Sequence, residues 1–379
     1  MIFQAYKSKG IKNSRIDVAD VLRAIAVIGI ILYHSTEHFN TFNQDVSHGF
    51  SFDPKLFEIA GIVLSGKMYS IFALLFGLSF FIQRDNREQK GKDFSLRFLW
   101  RMILLMGFGM INMGFYDGDI LTAYALFGLL LIPAGYLSTP LLAVITAILL
   151  IQPIELYHLV TGTPRDFSGL WAAFGKIELA HQQGSFFQNF WTDLRYGLYA
   201  NLGYDVYAGR ATQIPGLFFL GLLMGRARLF NNEGNNLKIW RWILVISAAA
   251  SIAGLAIPLG ELESWLKPIH NFTMAMMYVS LFVLLWYRFE GFAMTMGRIG
   301  FFGRMSMTNY FLQSLFGSFI FYGFGLGFWA VTGTLYSLLC GVVIILVQFF
   351  LLKAWARNHQ RGPLEGLWRK LTYLGTSVN

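Results

Sequence analysis

The chain of 379 residues is short of charge, cysteine and proline. Asp, Glu, Lys and Arg make up 13% of it, about half of the roughly 25% found in soluble domains. That shortage excludes an ordinary water-facing surface. A single cysteine, Cys340, excludes a disulfide within the chain and a cysteine-based metal cluster. It lies in an apolar run, where a free thiol behaves as a small buried hydrophobe. With 9 prolines, few of the long apolar runs are interrupted. Acidic residues are also scarce, 21 against 30 Lys and Arg, for a net charge of +9. The basic residues are scattered between apolar runs, which argues against nucleic-acid binding and for orientation in a membrane by the positive-inside rule.

What is abundant is apolar length. Hydrophobic residues make up 55% of the chain and phenylalanine alone contributes 37. Ten stretches are apolar enough to suggest membrane helices: 21–33 (beginning near Asp17), 57–82, 96–115, 120–136, 141–157, 213–229, 239–259, 272–287, 301–321 and 324–352. Sustained apolar runs of about 20 residues indicate helices; membrane barrels show ten-residue alternation instead. The expected fold is all-α, with about ten transmembrane helices and both termini cytoplasmic. On that topology 23 of the 30 Lys and Arg face inward and seven outward. The first apolar run lacks a small-x-small cleavage pattern and reads as a retained helix. The segment 158–212 is aromatic and amphipathic and is expected to form interfacial helices on the outer face. No repeat or low-complexity tract stands out. The chain therefore reads as one polytopic membrane domain, with five helices in 1–157, the outer segment 158–212, and five more helices in 213–379.

Charged groups in a span cost about 2.5–3.5 kcal/mol each at its centre, which makes them functional candidates. Arg23 and His34 are eleven residues apart, about 16 Å along a helix and on nearly the same face. They suit a helix lining a passage; a snorkelling arginine and an interfacial histidine would look the same. Lys67 opens KMYSIFALLFGLSFF as either a snorkelling residue or an anion partner, and Gly77 in that stretch permits close helix packing. Asp117 and Asp119 flank Gly118 in a turn, where Asp119 can cap the next helix or a carboxylate can orient an imidazole. Arg304, Thr308, Asn309, Tyr310 and Gln313 are dense polarity for a span, suited to interhelical hydrogen bonds or to substrate contact.

His34, Glu37 and His38 form H-x-x-E-H, a spacing that places all three on one helical face and is known in one class of zinc proteases. Zinc needs at least a third ligand, and no second metal motif accompanies this one. No metal is expected, and a zinc-dependent membrane hydrolase remains the minor alternative.

Four stretches in order, RIDVADVLRAIAVIGIILYH, KMYSIFALLFGLSF, YDGDILTAYALFG, and RMSMTNYFLQS with RGPLEGLWRKLTY, resemble the motifs of the YeiB-like family of bacterial inner-membrane proteins. The C-terminal part of that family is a domain of unknown function. The family's membrane core is similar to transmembrane acyltransferases, among them the lysosomal heparan-α-glucosaminide acetyltransferase and the acyltransferase-3 proteins. The latter carry Arg or Lys, ten residues, then His in the first helix, a pattern that Arg23 and His34 match. YeiB-like proteins commonly have Asn where this chain has His34. The lysosomal enzyme's catalytic histidine lies further along, where His38 and His48 are the candidates here.

The resemblance implies a multi-pass protein of the bacterial inner membrane that moves an acyl group from cytoplasmic acyl-CoA, acetyl-CoA first, to an acceptor on the outer side. His34 would be the general base, oriented by Asp117 or Asp119. Arg23, Arg97, Arg101 and Arg304 would hold the CoA phosphates, and Asn309 and Gln313 would polarise the thioester. Lys67, Glu37, His38 and Tyr310 would face substrate. Membrane lipids are expected partners, and a homodimer is expected by analogy. The alternative is a transporter or lipid-binding protein that uses the same polar passage without acyl transfer.

Overall fold

The computed structural model describes residues 15–37, 39, 49–256, 260–329 and 331–374, which are built of helices. Helix α1 (Asp17–Thr36) carries Asp17 and Asp20 in its first turn, charges that complement the helix dipole, and His34 in its last. The apolar run 57–82 is broken into α2 (Asp53–Val63) and α3 (Lys67–Glu88). The break falls at Gly66, whose φ of 75° suits glycine and is strained for other residues. Next come α4 (Ser95–Met113), α5 (Ile120–Gly128), α6 (Leu131–Tyr136), and the pair α7 (Thr139–Leu150) and α8 (Pro153–Thr161), bent by 47°.

The segment expected to be interfacial forms α9 (Ser168–Gln183) and α10 (Phe186–Tyr207). They are joined at a capping box in which Ser185 and Gln188 satisfy each other's backbone N–H groups. The two helices pack on each other, and α10 also packs on α4, α5 and α11. Phe187 and Trp191 remain largely exposed, as an amphipathic layer at a membrane interface requires. The second half comprises α11 (Arg210–Arg226), α12 (Asn236–Ala256), α13 (Glu263–Arg288), α14 (Glu290–Gly297), α15 (Gly300–Arg304), α16 (Ser306–Phe321), α17 (Thr334–Trp355) and α18 (Pro363–Thr372).

Among the described residues six candidate spans are long and apolar enough to cross a membrane: α1, α2–α3, α4, α12, α13 with the turn before it, and α17; the bent pair α7–α8 would make seven. This is consistent with an integral membrane α-helical protein. The remaining apolar runs are helical but short or interrupted. Residues 120–136 divide into α5 and α6, 301–321 divide into α15 and α16, and α11 has 17 residues.

The core is organised around α3, which packs along α11 and against α1 and α13. Gly77 of α3 lies against the Phe218 carbonyl of α11, and Gly221 of α11 lies against the Leu74 carbonyl of α3. A side chain at either glycine would force the backbones apart, so small residues set this crossing. Around it Leu74, Leu75, Phe218 and Leu22 are buried. By contrast α12 and α17 leave Ile246, Ile252, Val343 and Phe350 exposed, apolar surface of the kind a bilayer covers. Cys340, expected to be buried, is half-buried beside the Phe39 cluster, because α17 lies at the edge of the bundle.

Candidate functional site

Two cavities lie toward opposite ends of α1. The first, of ≈ 720 Å³, collects Arg15, Arg23, Arg101, Arg304, Arg361 and Arg369. Two carboxylates share this space. Asp20 is committed to Arg15 at 2.8 Å and Arg23 at 2.7 Å. Glu365 accepts from Met307 N at 2.7 Å, Thr308 N at 3.1 Å and Thr308 Oγ1 at 2.6 Å. Glu365 thus caps the start of α16 and ties α18 to it. The Arg101 guanidinium lies 4.0 Å over the Trp368 ring, and the indole donates to the Arg101 carbonyl at 3.2 Å. With six guanidinium groups against two carboxylates the cavity is an anion trap. Its deeper wall is aromatic: Phe72, Phe76, Phe80, Phe98 and Tyr124. It suits a ligand with an anionic head and an apolar tail.

The second cavity, of ≈ 100 Å³, has the opposite character. It is lined by His34, Glu37, Asp117, Glu178, His181 and Asp205, together with Arg210 and the tyrosines Tyr33, Tyr69 and Tyr204. Tyr310 lines both cavities. Its hydroxyl donates to the Gly118 carbonyl at 3.2 Å and accepts from Ile120 N at 3.0 Å, so it pins the turn between α4 and α5 to α16. The His34 ring sits 6.2 Å from Tyr310 and 5.0 Å from Tyr116, centroid to centroid. Gln313 Nε2 lies 3.0 Å from His34 Nδ1. An amide nitrogen only donates, so Nδ1 accepts and the proton of the neutral ring sits on Nε2.

The expected site residues divide between these places. Arg23, Arg101 and Arg304 meet in the arginine cavity; Arg97 stands beside it, 4.5 Å over the Tyr373 ring. Glu37, Asp117 and Tyr310 join His34 at the histidine cavity. Gln313 reaches the site through His34. Asn309 does not line either cavity; its amide donates to the Phe302 carbonyl at 2.9 Å and closes the break between α15 and α16. Lys67 is buried at the α2–α3 break, with Nζ 3.4 Å from the Gly61 carbonyl. Asp119 caps α5, accepting from Thr122 N and from Asn112 Nδ2, each at 2.8 Å, and Asn201 bonds its backbone carbonyl. Both of its oxygens are therefore engaged in building the turn. His38 and His48 lie outside the described residues.

Sequence reasoning missed His181. It lines the histidine cavity, and its Nε2 sits 2.9 and 3.0 Å from the two oxygens of Asp193, which is fully buried. Tyr322 stacks on the ring at 3.8 Å. Burial holds the His181 imidazole down at about 4, against the upward pull of Asp117 and Glu178. Burial likewise pushes the Asp117 carboxyl up to about 6, with His181 opposing and Asp193 adding to the rise. Asp205 is raised to about 7 by burial, with Arg210 opposing. The capping box at Ser185 was the available signal. It marks a helix start between His181 and Asp193 and so brings the two polar residues onto facing helices.

Residues 224–375 match the family described as "Protein of unknown function (DUF418)". The chain is 27% identical to the uncharacterized protein YxaH of Bacillus subtilis (strain 168), over 96% of this chain and 95% of that one. It is 24% identical to an uncharacterized 39.9 kDa protein in the amylase 3′ region of Bacillus acidopullulyticus, over 95% of this chain and 94% of that one. To the uncharacterized protein YeiB of Escherichia coli (strain K12) it is 35% identical over 25% of this chain and 24% of that one. No solved structure matches it. These matches support a YeiB-like DUF418 family. The matched region contains α16 and α18, hence Tyr310, Gln313 and Glu365, while His34 and His181 lie before it.

Proposed function

We propose that this YeiB-like membrane protein is an acyltransferase related to the transmembrane acyltransferases that its first-helix motif resembles. It takes an acyl group from acyl-CoA on the cytoplasmic side of the bacterial inner membrane and passes it to an acceptor on the other side. The observation that carries this reading is Tyr310, a single side chain that lines both an arginine-rich cavity and a histidine-bearing one. The excess of basic residues on one set of loops supports a cytoplasmic position for the arginine cavity. Guanidinium groups pair bidentately with phosphate, and the aromatic wall offers an apolar channel for the thioester arm. Beyond Tyr310 the acyl carbonyl meets His34. With its proton on Nε2, that imidazole is the hydrogen-bond donor to the thioester as charge develops on it, a role worth roughly 10²–10³-fold in rate, and Gln313 sets its tautomer.

Lipid binding or transport through the same two cavities is the competing reading, and it predicts ligand binding with no cleavage. Purified protein in lipid nanodiscs, incubated with acetyl-CoA, separates the two. Free thiol released by the wild type and lost in His34→Ala supports acyl transfer. Absence of both thiol release and CoA binding would overturn it.

A further inference from the structure

The two imidazoles of the histidine cavity are held in opposite states. His34 accepts at Nδ1 from Gln313 Nε2 and therefore presents a proton at Nε2. His181 is anchored the other way round. Its Nε2 lies between both oxygens of Asp193, at 2.9 and 3.0 Å, the geometry of one N–H shared by a carboxylate. The lone pair is then on Nδ1. Asp193 does not line the cavity, but His181 does. The arrangement is a base backed by an orienting carboxylate, as in hydrolytic triads. Tyr322 clamps the ring plane, and Gly323 N fixes the backbone by donating to the His181 carbonyl at 2.8 Å. The groups around it are acidic: Asp193 from α10, Glu178 from α9, the helix that carries His181, and Asp117 from the α4–α5 turn. Asp117 and Glu178 pull the ring toward the charged form, against burial, and Asp193 holds its Nε2.

We propose that His181, oriented by Asp193, is the general base that takes the proton from the incoming acceptor, while His34 serves the thioester side. The inference rests on the acyltransfer reading and divides its chemistry between two helices. An acceptor hydroxyl or amine, X–H, gives its proton to His181 Nδ1 as X bonds to the acyl carbon. The C–S bond breaks, and the leaving CoA thiolate accepts a hydrogen bond from His34 Nε2–H, which keeps its proton. The imidazolium at His181 then gives its proton to the thiolate through cavity water, so the net reaction is acyl-S-CoA plus X–H giving acyl-X plus CoA-SH. The interfacial pair α9–α10 is thereby part of the reaction centre as well as its cover.

The test uses full-length protein in nanodiscs with acetyl-CoA and two probe acceptors, each rate taken above the protein-free rate. Hydroxylamine is already the free base at neutral pH. Ethanolamine is protonated and depends on a base. His181→Gln keeps a donor toward Asp193 and has no base. It should lower the ethanolamine-to-hydroxylamine rate ratio about 100-fold, the scale of a lost general base. Asp193→Asn, which permits the wrong tautomer, should lower the ratio in the same direction. His34→Ala should depress both rates and leave the ratio near that of the wild type. If His181→Gln lowers both rates equally or leaves both intact, His181 only bolts α9 to α10 and the proposal is overturned. If wild-type protein acetylates neither probe and releases no thiol, it is the acyltransfer reading itself that has failed.

Discussion

The arginine cavity and the histidine cavity share one side chain and little else. The first is large, basic and aromatic, and five of its six arginines stand on or beside α1, α15 and α18, toward the ends of the chain. The second is small and rich in carboxylates, and it is roofed by α9 and α10 from the middle of the chain. The difference teaches that a binding requirement and a reaction requirement are met in different ways. An anion site needs many charges placed loosely, because Coulomb attraction falls off slowly with distance. A proton-transfer site needs a few groups within hydrogen-bond reach, and those must be buried and braced.

The comparison can be broken first at His34. His34→Ala should lower thiol release by roughly 10²–10³-fold in the nanodisc assay, and a loss smaller than tenfold would remove the imidazole from the chemistry. Next, the double change Arg101→Ala with Arg304→Ala should weaken CoA binding by about 3 kcal/mol or more, since a hydrogen bond to a charged group contributes about 1.5–3 kcal/mol. Calorimetry in nanodiscs reads this directly, and wild-type binding should also fall as sodium chloride is raised. Unaltered binding in the double variant would empty the arginine cavity of its assigned role.

A smaller effect distinguishes the two kinds of acid. Glu365→Gln should destabilise the α16–α18 junction by about 1 kcal/mol, as a weakened cap does, and lower the thermal midpoint in detergent. The same change removes a negative charge from the arginine cavity and should tighten CoA binding slightly, so stability and affinity move in opposite directions. A change of both in one direction would mean that α18 holds the cavity open rather than capping α16.

The smallest effect is a shift in pH. With His181 held down at about 4, the acid limb of acceptor transfer should lie well below the ordinary histidine range. Asp117 pulls that value upward while Asp193 and Glu178 stand close by. Removing it in Asp117→Asn should therefore move the limb to still lower pH. A limb that moved upward would show that Asp117 acts on some other group.

The sequence by itself determined the solvent and much of the chemistry. A chain with 13% charged residues can bury its apolar runs only in lipid or in one another. Helical periodicity carries the rest of that inference, since eleven residues return to the same face and so place Arg23 and His34 along one side of α1. Arg23, Arg101 and Arg304 were legible for the same reason, because arginine within an apolar run is conspicuous. Tertiary structure alone decided what those residues face. Asn309 and Gln313 share a face by spacing, yet one closes a helix break and the other holds an imidazole, because α15 offers the Phe302 carbonyl to the first and α1 offers His34 to the second one turn further on. The break at Gly66, which divides α2 from α3, depends on Asn271 filling the place of a side chain there. His181 and Asp193 are twelve residues apart in an aromatic stretch with no catalytic motif, only the capping box at Ser185, and they become a pair only when α9 folds back on α10. Local spacing reports which residues one helix presents together. Partners on different helices are set by packing, which depends on contacts far apart in the chain.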